Sequence, residues 1–189
     1  MIGITGSVGK TSTKELIASV LAQKYHVLKT EGNYNNEIGL PLTIFRLTEE
    51  DEIAVLEMGS DHFREMHRLA DIARPDVCVI TNIGYAHLES LGSREGILKA
   101  KTEMFDHLQD EFCVVLNGDD DMLRTVSDVR GQKPVFFGID SAAPVFASHF
   151  ENRGLKGTLC TIQLPACGDF PEATIQADIP IPGKHMVYN

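Results

Sequence analysis

Residues 5–11, with the sequence Thr-Gly-Ser-Val-Gly-Lys-Thr, constrain the fold of this chain more than any other stretch. A short apolar run over residues 1–4 comes before them, and a helical pattern over residues 12–23 follows. A glycine-bearing turn between a strand and a helix is typical of a phosphate-binding loop, because backbone N–H groups and the positive end of the helix dipole face the anion there. In such a loop Lys10 would reach the β- and γ-phosphates of a nucleotide, and the Thr11 hydroxyl would bind Mg²⁺.

The motif departs from the general G-x-x-x-x-G-K-[ST] pattern at its first position, where this chain has Ile4. Gly6 and Gly9 still supply two flexible points in the backbone. The alternative is an ordinary strand-to-helix turn that carries Gly-Lys-Thr by chance, but the flanking strand and helix favour nucleotide binding. The predicted ATP-binding residues of this loop are Thr5, Gly6, Ser7, Val8, Gly9, Lys10, Thr11 and Ser12.

Composition excludes several classes of protein. The net charge of −10 argues against a nucleic-acid partner, because nucleic-acid binding normally requires a basic face. No apolar stretch approaches the roughly 18 residues that a membrane span needs, and the chain does not open with a signal peptide, so no membrane insertion is expected. Four cysteines without a C-x-x-C spacing favour buried, reduced thiols and a cytoplasmic location. The abrupt start on a core strand and the end at Asn189 suggest a fragment of a longer protein.

Apolar runs that alternate with helical patterns predict an α/β fold over residues 1–140. We expect a P-loop-containing, mostly parallel sheet flanked by helices, with a small antiparallel β extension, a meander, over residues 141–189. Two helical side chains, Val20 and Ile72, are assigned to buried faces by their spacing. A long helix is expected over residues 93–108, with Ser93 as its N-cap.

Polar side chains follow several of the predicted strands at their carboxyl ends, where parallel α/β sheets bind ligands. Glu57 ends a buried apolar strand, which favours a metal-linked role over a carboxylate that simply faces water. His87 falls past the next strand end and is assigned a metal or phosphate role, although a lone histidine is usually structural. Asn117 and Asp119 follow a later strand, where they could hydrogen-bond a nucleoside or could cap the helix after them.

The loop over residues 30–41 contains Asn33, Asn35 and Asn36. These residues could simply form a turn, since Asn tolerates a left-handed backbone conformation. A loop of this length in a compact domain is more often functional, so a binding role is favoured.

Seven motifs occur in the same order as in the central ATPase domain of the Mur ligases, and together they span essentially the whole chain. They are residues 5–11 (TGSVGKT), 32–41 (GNYNNEIGLP), 56–59 (LEMG), 81–89 (TNIGYAHLE), 100–103 (AKTE), 117–120 (NGDD) and 182–185 (PGKH). The chain therefore resembles the Mur ligases, which build the peptide of bacterial peptidoglycan. The Mur ligase form of the phosphate loop also lacks the glycine that Ile4 replaces here.

The resemblance implies an enzyme, an ATP-dependent acid–amino-acid (peptide) ligase. Within the family the Asn-rich loop and the Glu-Met-Gly strand end look most like the member that adds D-alanyl-D-alanine to UDP-N-acetylmuramoyl-tripeptide through an acyl phosphate. ATP and Mg²⁺ are the implied cofactors. The resemblance further implies one Mg²⁺ on Thr11 and Glu57, and a second held by His87 and, if carbamylated, Lys101.

Other roles also come from the resemblance alone. Lys10, Lys101 and His87 would be catalytic, Asn82 would sit beside the phosphates, and Asn33, Asn35 and Asn36 would lie near the muramoyl-peptide substrate. Asn189 matches an adenine-contacting Asn, whereas Met186 stands where the family has a second Asn and weakens that correspondence.

The family enzymes carry an N-terminal UDP-binding domain and a C-terminal domain as well. Residues 1–189 would therefore be a central domain, able to bind nucleotide but unable to ligate alone. The alternatives are another amide ligase of the Mur or folylpolyglutamate type, or a noncatalytic nucleotide-binding module. The Asn-rich loop argues against the other ligases, and a retained His87 argues against a module that only binds.

Overall fold

A computed structural model describes residues 1–139 and 143–189 and has the α/β architecture expected from the sequence. Its strands form a single sheet in the order β2-β3-β1-β4-β5-β6-β7-β8-β9. The strands are β1 (Ile2–Thr5), β2 (Val27–Lys29), β3 (Ile53–Glu57), β4 (Val77–Ile80), β5 (Cys113–Asn117), β6 (Val135–Gly138), β7 (Val145–Asn152), β8 (Thr158–Leu164) and β9 (Ala173–Ile179). The α-helices are α1 (Lys10–Leu21), α2 (Gly39–Ile44), α3 (Glu65–Ala73), α4 (Leu88–Leu91) and α5 (Arg94–Thr102).

The parallel register of the central strands brings their carboxyl ends to one edge of the sheet. Ile4 of β1 is opposite Glu57 of β3, and Thr5 is opposite Ile80 of β4. Ile80 in turn pairs with Leu116 of β5. The segments that follow β1, β3, β4 and β5 therefore leave the sheet side by side, and we call this edge the carboxyl rim.

Apolar side chains cover both faces of the central sheet, as expected for parallel strands that read as continuous hydrophobic runs. The larger cluster packs α3 and α5 against one face, with Leu56, Met66 and Ile97 fully buried. The smaller cluster lies under α1 and contains Ile4 and Val55. Burial of both faces fixes the strand ends in place and so fixes the carboxyl rim.

The antiparallel extension is continuous with the main sheet. The sequence predicts an antiparallel meander whose first strand lies within residues 145–150, but β7 pairs in parallel with β6. Only the pairings of β7 with β8 and of β8 with β9 are antiparallel. The predicted boundary between residues 140 and 141 lies outside the described residues.

Two predicted core side chains are exposed, and both predictions were wrong. Val20 of α1 is 69% exposed, because the buried face of this helix is formed by Thr13, Lys14 and Ala18. Ile72 of α3 is 43% exposed, because the apolar stripe of that helix runs along a neighbouring row of side chains. Those residues, spaced three and four apart, are Met66, Leu69, Ala70 and Ala73.

The helix predicted over residues 93–108 begins as expected but ends earlier. The Ser93 side chain caps it by accepting a hydrogen bond from the backbone N–H of Gly96, 3.2 Å away. After Thr102 the chain tightens into a 3-10 helix, Glu103–His107. Across the described ranges, no helix has the length and apolar character that a membrane span requires.

Candidate active site

The loop after β1 has the backbone geometry that its two glycines allow. Gly6 has φ 148° and Gly9 has φ 86°, both in the region that favours glycine. A Cβ atom on Gly6 would lie 1.9 Å from the Thr81 hydroxyl oxygen, so a side chain there is sterically excluded. The glycines therefore let the loop pass directly over the end of β4.

Asn82 fastens this loop to the strand end beside it. Its side-chain oxygen accepts from the Val8 N–H (3.0 Å), its amide donates to the Val8 carbonyl (2.9 Å), and its backbone carbonyl accepts from Ser7 N–H (3.0 Å). Thr81 adds a hydroxyl bond to the same Val8 carbonyl (2.6 Å). The N–H groups of Ser7 and Val8 are thus used within the loop, which leaves the first turn of α1 to supply backbone donors.

The amino end of α1 is suited to binding an anion. The first N–H groups of an α-helix have no partner inside the helix, and the N-cap residue Gly9 has no side chain that could accept a hydrogen bond from them. Lys10 is the first helical residue and donates from Nζ to the Gly6 carbonyl (2.9 Å). Burial lowers the pKa of Lys10, while the charges of Glu57 and Asp61 act in the opposite direction. Thr11, the next residue, is exposed.

Glu57 is a buried carboxylate that uses one oxygen in a hydrogen bond, whereas its other oxygen has none among the described residues. It is only 3% exposed, and Oε1 accepts a hydrogen bond from the Asn35 amide at 2.8 Å. Oε2 has no hydrogen-bond partner among the described residues, and the nearest cation, Lys14 Nζ, lies 3.9 Å away. A buried carboxylate oxygen without a partner is costly, which makes this position suited to a hard cation such as Mg²⁺.

Few side chains at the carboxyl rim could act as metal ligands. In the parts of the chain that the structure describes, no group of three or more His, Cys, Asp or Glu side chains is placed to hold a metal ion. Mg²⁺ typically takes one or two carboxylates together with substrate phosphates and waters, so Glu57 and Thr11 fit that kind of site.

A cavity of about 520 Å³ opens on the carboxyl rim beside Asn35, the residue that is hydrogen-bonded to Glu57. Lys10, Asp61 and His87 are among the residues that line it. His87 has left-handed backbone (φ 63°), and its Nε2 atom lies 3.3 Å from the Asp61 carboxylate. The structure thus brings together the loop lysine and the strand-end histidine that the sequence predicted.

Lys101 is buried near the same cavity. Only 1% of it is exposed, and its pKa is lowered to about 8 by burial and by the charge of Lys10, against an opposing effect of Asp61. A lysine with this pKa is neutral in about a tenth of molecules at pH 7. The neutral, nucleophilic amine form of Lys101 is therefore much more populated at pH 7 than it is for an ordinary lysine.

The three asparagines of the loop over residues 30–41 have different surroundings. Asn35 lies against Glu57, whereas the Asn36 side chain accepts from the N–H groups of Ile38 and Gly39 and so starts α2. Asn33 is exposed. Asn35 and Asn36 both line the 520 Å³ cavity.

Asn117 and Asp119 are bound into the loop after β5. Asn117 donates to the Thr81 carbonyl (3.0 Å) and accepts from the Asp119 N–H (2.9 Å). The capping role that the sequence offered as an alternative is taken by Asp120, whose Oδ1 accepts from Met122 and Leu123 N–H. Asp119 accepts from the Tyr188 hydroxyl at 3.1 Å.

Asn189 comes back to the phosphate loop from the far end of the chain. Its side-chain oxygen accepts from the Thr13 hydroxyl (3.2 Å), and a Cβ on Gly9 would lie 2.7 Å from that oxygen. Asn189 and Tyr188 also line a mostly apolar groove of about 330 Å³ between α1 and the sheet. An apolar groove next to the phosphate loop could accommodate a flat base.

Sequence reasoning missed Asp61 and Lys14. Asp61 lies beyond Gly59 at the end of β3, so its place past a strand end was a usable signal. Lys14 gave no signal, because a lysine in a helix is normally solvated, yet it is 1% exposed and donates to the Thr30 carbonyl at 2.7 Å.

The chain is similar to known proteins in both sequence and fold. The family model "Mur ligase middle domain" matches residues 4–189. A UDP-N-acetylmuramoyl-tripeptide–D-alanyl-D-alanine ligase of Bacillus subtilis is 39% identical over 195 residues, which cover 100% of this chain and 39% of that protein.

Solved structures agree with this match. MurF from Acinetobacter baumannii superposes with a TM-score of 0.88 at 31% identity, over 99% of this chain and 40% of that one. MurF from Thermotoga maritima, solved in complex with ADP, gives a TM-score of 0.82 at 33% identity, over 99% and 42% of the two chains. The chain thus spans about 40% of the length of these three relatives.

Proposed function

Because this chain belongs to the Mur ligase middle domain family, we propose that it is the ATP-binding core of a ligase that adds D-alanyl-D-alanine to UDP-N-acetylmuramoyl-tripeptide. The observation that carries the proposal is the carboxyl rim. Lys10 at the uncapped start of α1 lines a cavity there, and so does Asn35, whose amide binds the buried Glu57 carboxylate. The other oxygen of that carboxylate has no hydrogen-bond partner among the described residues. The substrates are those in the name of the Bacillus subtilis relative.

The proposed reaction has two steps. A carboxylate oxygen of the tripeptide attacks the γ-phosphorus of ATP, which forms an acyl phosphate and releases ADP. The amine of D-alanyl-D-alanine then attacks the acyl carbon, which forms the amide bond and releases inorganic phosphate and a proton. Phosphoryl transfer of this kind needs chiefly positioning and neutralisation of charge.

The residues of the phosphate loop would position ATP. The N–H groups at the start of α1 face the phosphates, and Lys10 exchanges its contact with the Gly6 carbonyl for a phosphate oxygen. Ser12 would donate its backbone N–H from the first turn of α1, whereas Thr5 and Ser7 would shape the loop through their main-chain bonds to Thr81 and Asn82. Asn82 holds the loop in the conformation that keeps these donors aligned.

Thr11 and Glu57 would hold one Mg²⁺, and His87 with a carbamylated Lys101 would hold another. Bound there, Mg²⁺ would neutralise the phosphate charge and polarise the γ-phosphoryl group. The Lys101 ammonium first loses a proton, and the neutral amine then adds to CO₂ with loss of a second proton, so that carbamylation converts a cation into an anion. The lowered pKa of Lys101 supports this modification, because only the neutral amine reacts.

The base of ATP would lie near the end of the chain. Asn189 is held against the phosphate loop by Thr13, next to the apolar groove. Asn117 would support this end of the nucleotide site indirectly, because it binds the Asp119 N–H. Asp119 in turn accepts from the Tyr188 hydroxyl and so holds the segment that ends at Asn189.

We propose a cytoplasmic protein in which this domain is joined to an N-terminal UDP-binding domain and a C-terminal domain. The share of the relatives that the chain spans is consistent with such a division. Alone, the 189 residues would bind nucleotide without ligating the two substrates.

A chimera tests the proposal. The matching segment of the Bacillus subtilis ligase is replaced by this chain, and ADP release is followed with both substrates and with each one omitted. We expect sustained ADP release over many turnovers only with both UDP-N-acetylmuramoyl-tripeptide and D-alanyl-D-alanine, and at most about one ADP per enzyme when the dipeptide is omitted. A chimera that binds an ATP analogue but releases no ADP with both substrates present would contradict the proposal.

A further inference from the structure

The environment of Glu57 points to a role for Asn35 that differs from contact with substrate. We infer that Asn35 is a positioning residue, which binds one oxygen of the Glu57 carboxylate so that the other faces the cation. This inference rests on the proposed function and names the residue that orients its metal ligand.

Asn35 is tied to the end of β3 by two separate hydrogen bonds. Its amide Nδ2 donates to Glu57 Oε1 at 2.8 Å, and its backbone carbonyl accepts from the Gly59 N–H at 2.8 Å. The main-chain bond to Gly59 fixes the position of the Asn35 backbone, and the side-chain bond fixes the rotation of the Glu57 carboxylate. A carboxylate held in this way presents one chosen oxygen, which lowers the entropy lost when it binds a cation.

The other neighbours of Glu57 do not replace this bond. The Lys14 ammonium lies 3.9 Å from Oε2, too far for a hydrogen bond, and its own bonds go to the Thr30 carbonyl (2.7 Å) and the Glu15 carboxylate (3.0 Å). The Thr30 hydroxyl accepts from the Glu57 backbone N–H and so fixes the main chain alone. Asn35 is therefore the neighbour whose hydrogen bond sets the carboxylate's orientation.

Lys14 has a complementary electrostatic effect. Its buried ammonium group lies 3.9 Å from Oε2 of Glu57, which is itself 3% exposed, so it attracts the carboxylate without binding it through a hydrogen bond. With the charge provided by Lys14 and the orientation by Asn35, Oε2 is left as a buried acceptor without a hydrogen bond.

The two neighbouring asparagines lack this geometry. Asn36 uses its side-chain oxygen to start α2, and Asn33 is exposed on the same loop. Asn35 is thus the asparagine of this loop that binds the Glu57 carboxylate.

The experiment measures how Mg²⁺ affects binding of a nonhydrolysable ATP analogue. Each variant is titrated with the analogue in EDTA, and then with Mg²⁺ at a fixed concentration of the analogue. The variants are Asn35→Ser, Asn35→Leu, which keeps the side-chain volume without the donor, and the control Gln176→Ser, which removes an exposed amide on β9.

We expect both Asn35 variants to need at least ten times more Mg²⁺ for half-maximal binding, as is typical when a group behind a metal ligand is removed. Their affinity for the analogue in EDTA should stay unchanged, and Gln176→Ser should match the wild type throughout. A merely structural role would weaken binding in EDTA as well.

Three results would overturn the inference. An unchanged Mg²⁺ requirement in the Asn35 variants would refute it while leaving the proposed function intact. Loss of binding in EDTA in both variants would show that Asn35 serves the fold instead. Wild-type binding without any Mg²⁺ dependence would remove the proposed function and the inference together.

Discussion

Lys101 shows how one buried side chain responds to its surroundings. Burial and the nearby Lys10 lower its pKa from the ordinary 10.5 to about 8. Between these two values the unfolded chain holds a proton that the folded chain has lost, so raising the pH stabilises the folded state. Below about pH 8 both states carry the proton, so Lys101 no longer makes the free energy of unfolding depend on pH.

We expect this linkage to be measurable against Lys101→Met. In CO₂-free buffer, the free energy of unfolding of the wild type should rise relative to the variant between about pH 8 and pH 10.5, at up to about 1.4 kcal/mol per pH unit. Chemical denaturation at several pH values measures it. Parallel curves for the two proteins would show that Lys101 titrates normally.

The strand-end residues were predictable from sequence, whereas their partners were not. Glu57 and His87 could be placed together because parallel strands end at the same edge of a sheet. The bonds of Asn35 to Glu57 and of Asn189 to Thr13 join residues that are far apart in sequence, and no local pattern encodes them. The roles of Asn35 and Asn82 as supports became visible only from their hydrogen-bond partners.

The helix α5 carries Lys101 toward the carboxyl rim, so its start matters for the site. Ser93 is its N-cap, with extended backbone and a bond from the Gly96 N–H. Removing the hydroxyl leaves an N–H group of the first turn without its partner.

We expect Ser93→Ala to lower the free energy of unfolding by about 1 kcal/mol, and Ser93→Thr to preserve most of it. Urea denaturation at neutral pH would measure both variants. Equal losses in the two would show that the cap contributes little and that the serine serves another purpose.

At this scale, sequence periodicity located the elements but not all of their buried faces. The stripe of α3 spares Ile72, and Lys14 takes a buried position on α1 while Val20 remains exposed. Tertiary contacts decide such cases, because a polar side chain can be buried once it is hydrogen-bonded. The early end of α5 likewise lacks a glycine or proline that could have marked it.

The whole molecule combines one continuous sheet with a site on one of its edges. The fold class followed from the alternation of apolar runs and helical patterns, and the match to the Mur ligase middle domain agrees with it. The parallel pairing of β7 with β6 was not predictable, because pairing direction depends on the path of the connection and not on the strand itself.

The phosphate loop lies where this architecture concentrates its polar groups. Lys10 at the start of α1 and Glu57 at the end of β3 both lie on the carboxyl rim, and the central claim is that they bind ATP with Mg²⁺. Lys10 is the cation of that set, so its removal should affect nucleotide affinity more than removal of an exposed lysine just beyond the same helix.

Calorimetric titration of the chain with a nonhydrolysable ATP analogue and Mg²⁺ tests this claim most directly. We expect Lys10→Ala to weaken binding at least tenfold, because it removes a charge-assisted contact with phosphate, while the exposed Lys24→Ala should match the wild type. Equal affinities of the wild type and Lys10→Ala would contradict the account.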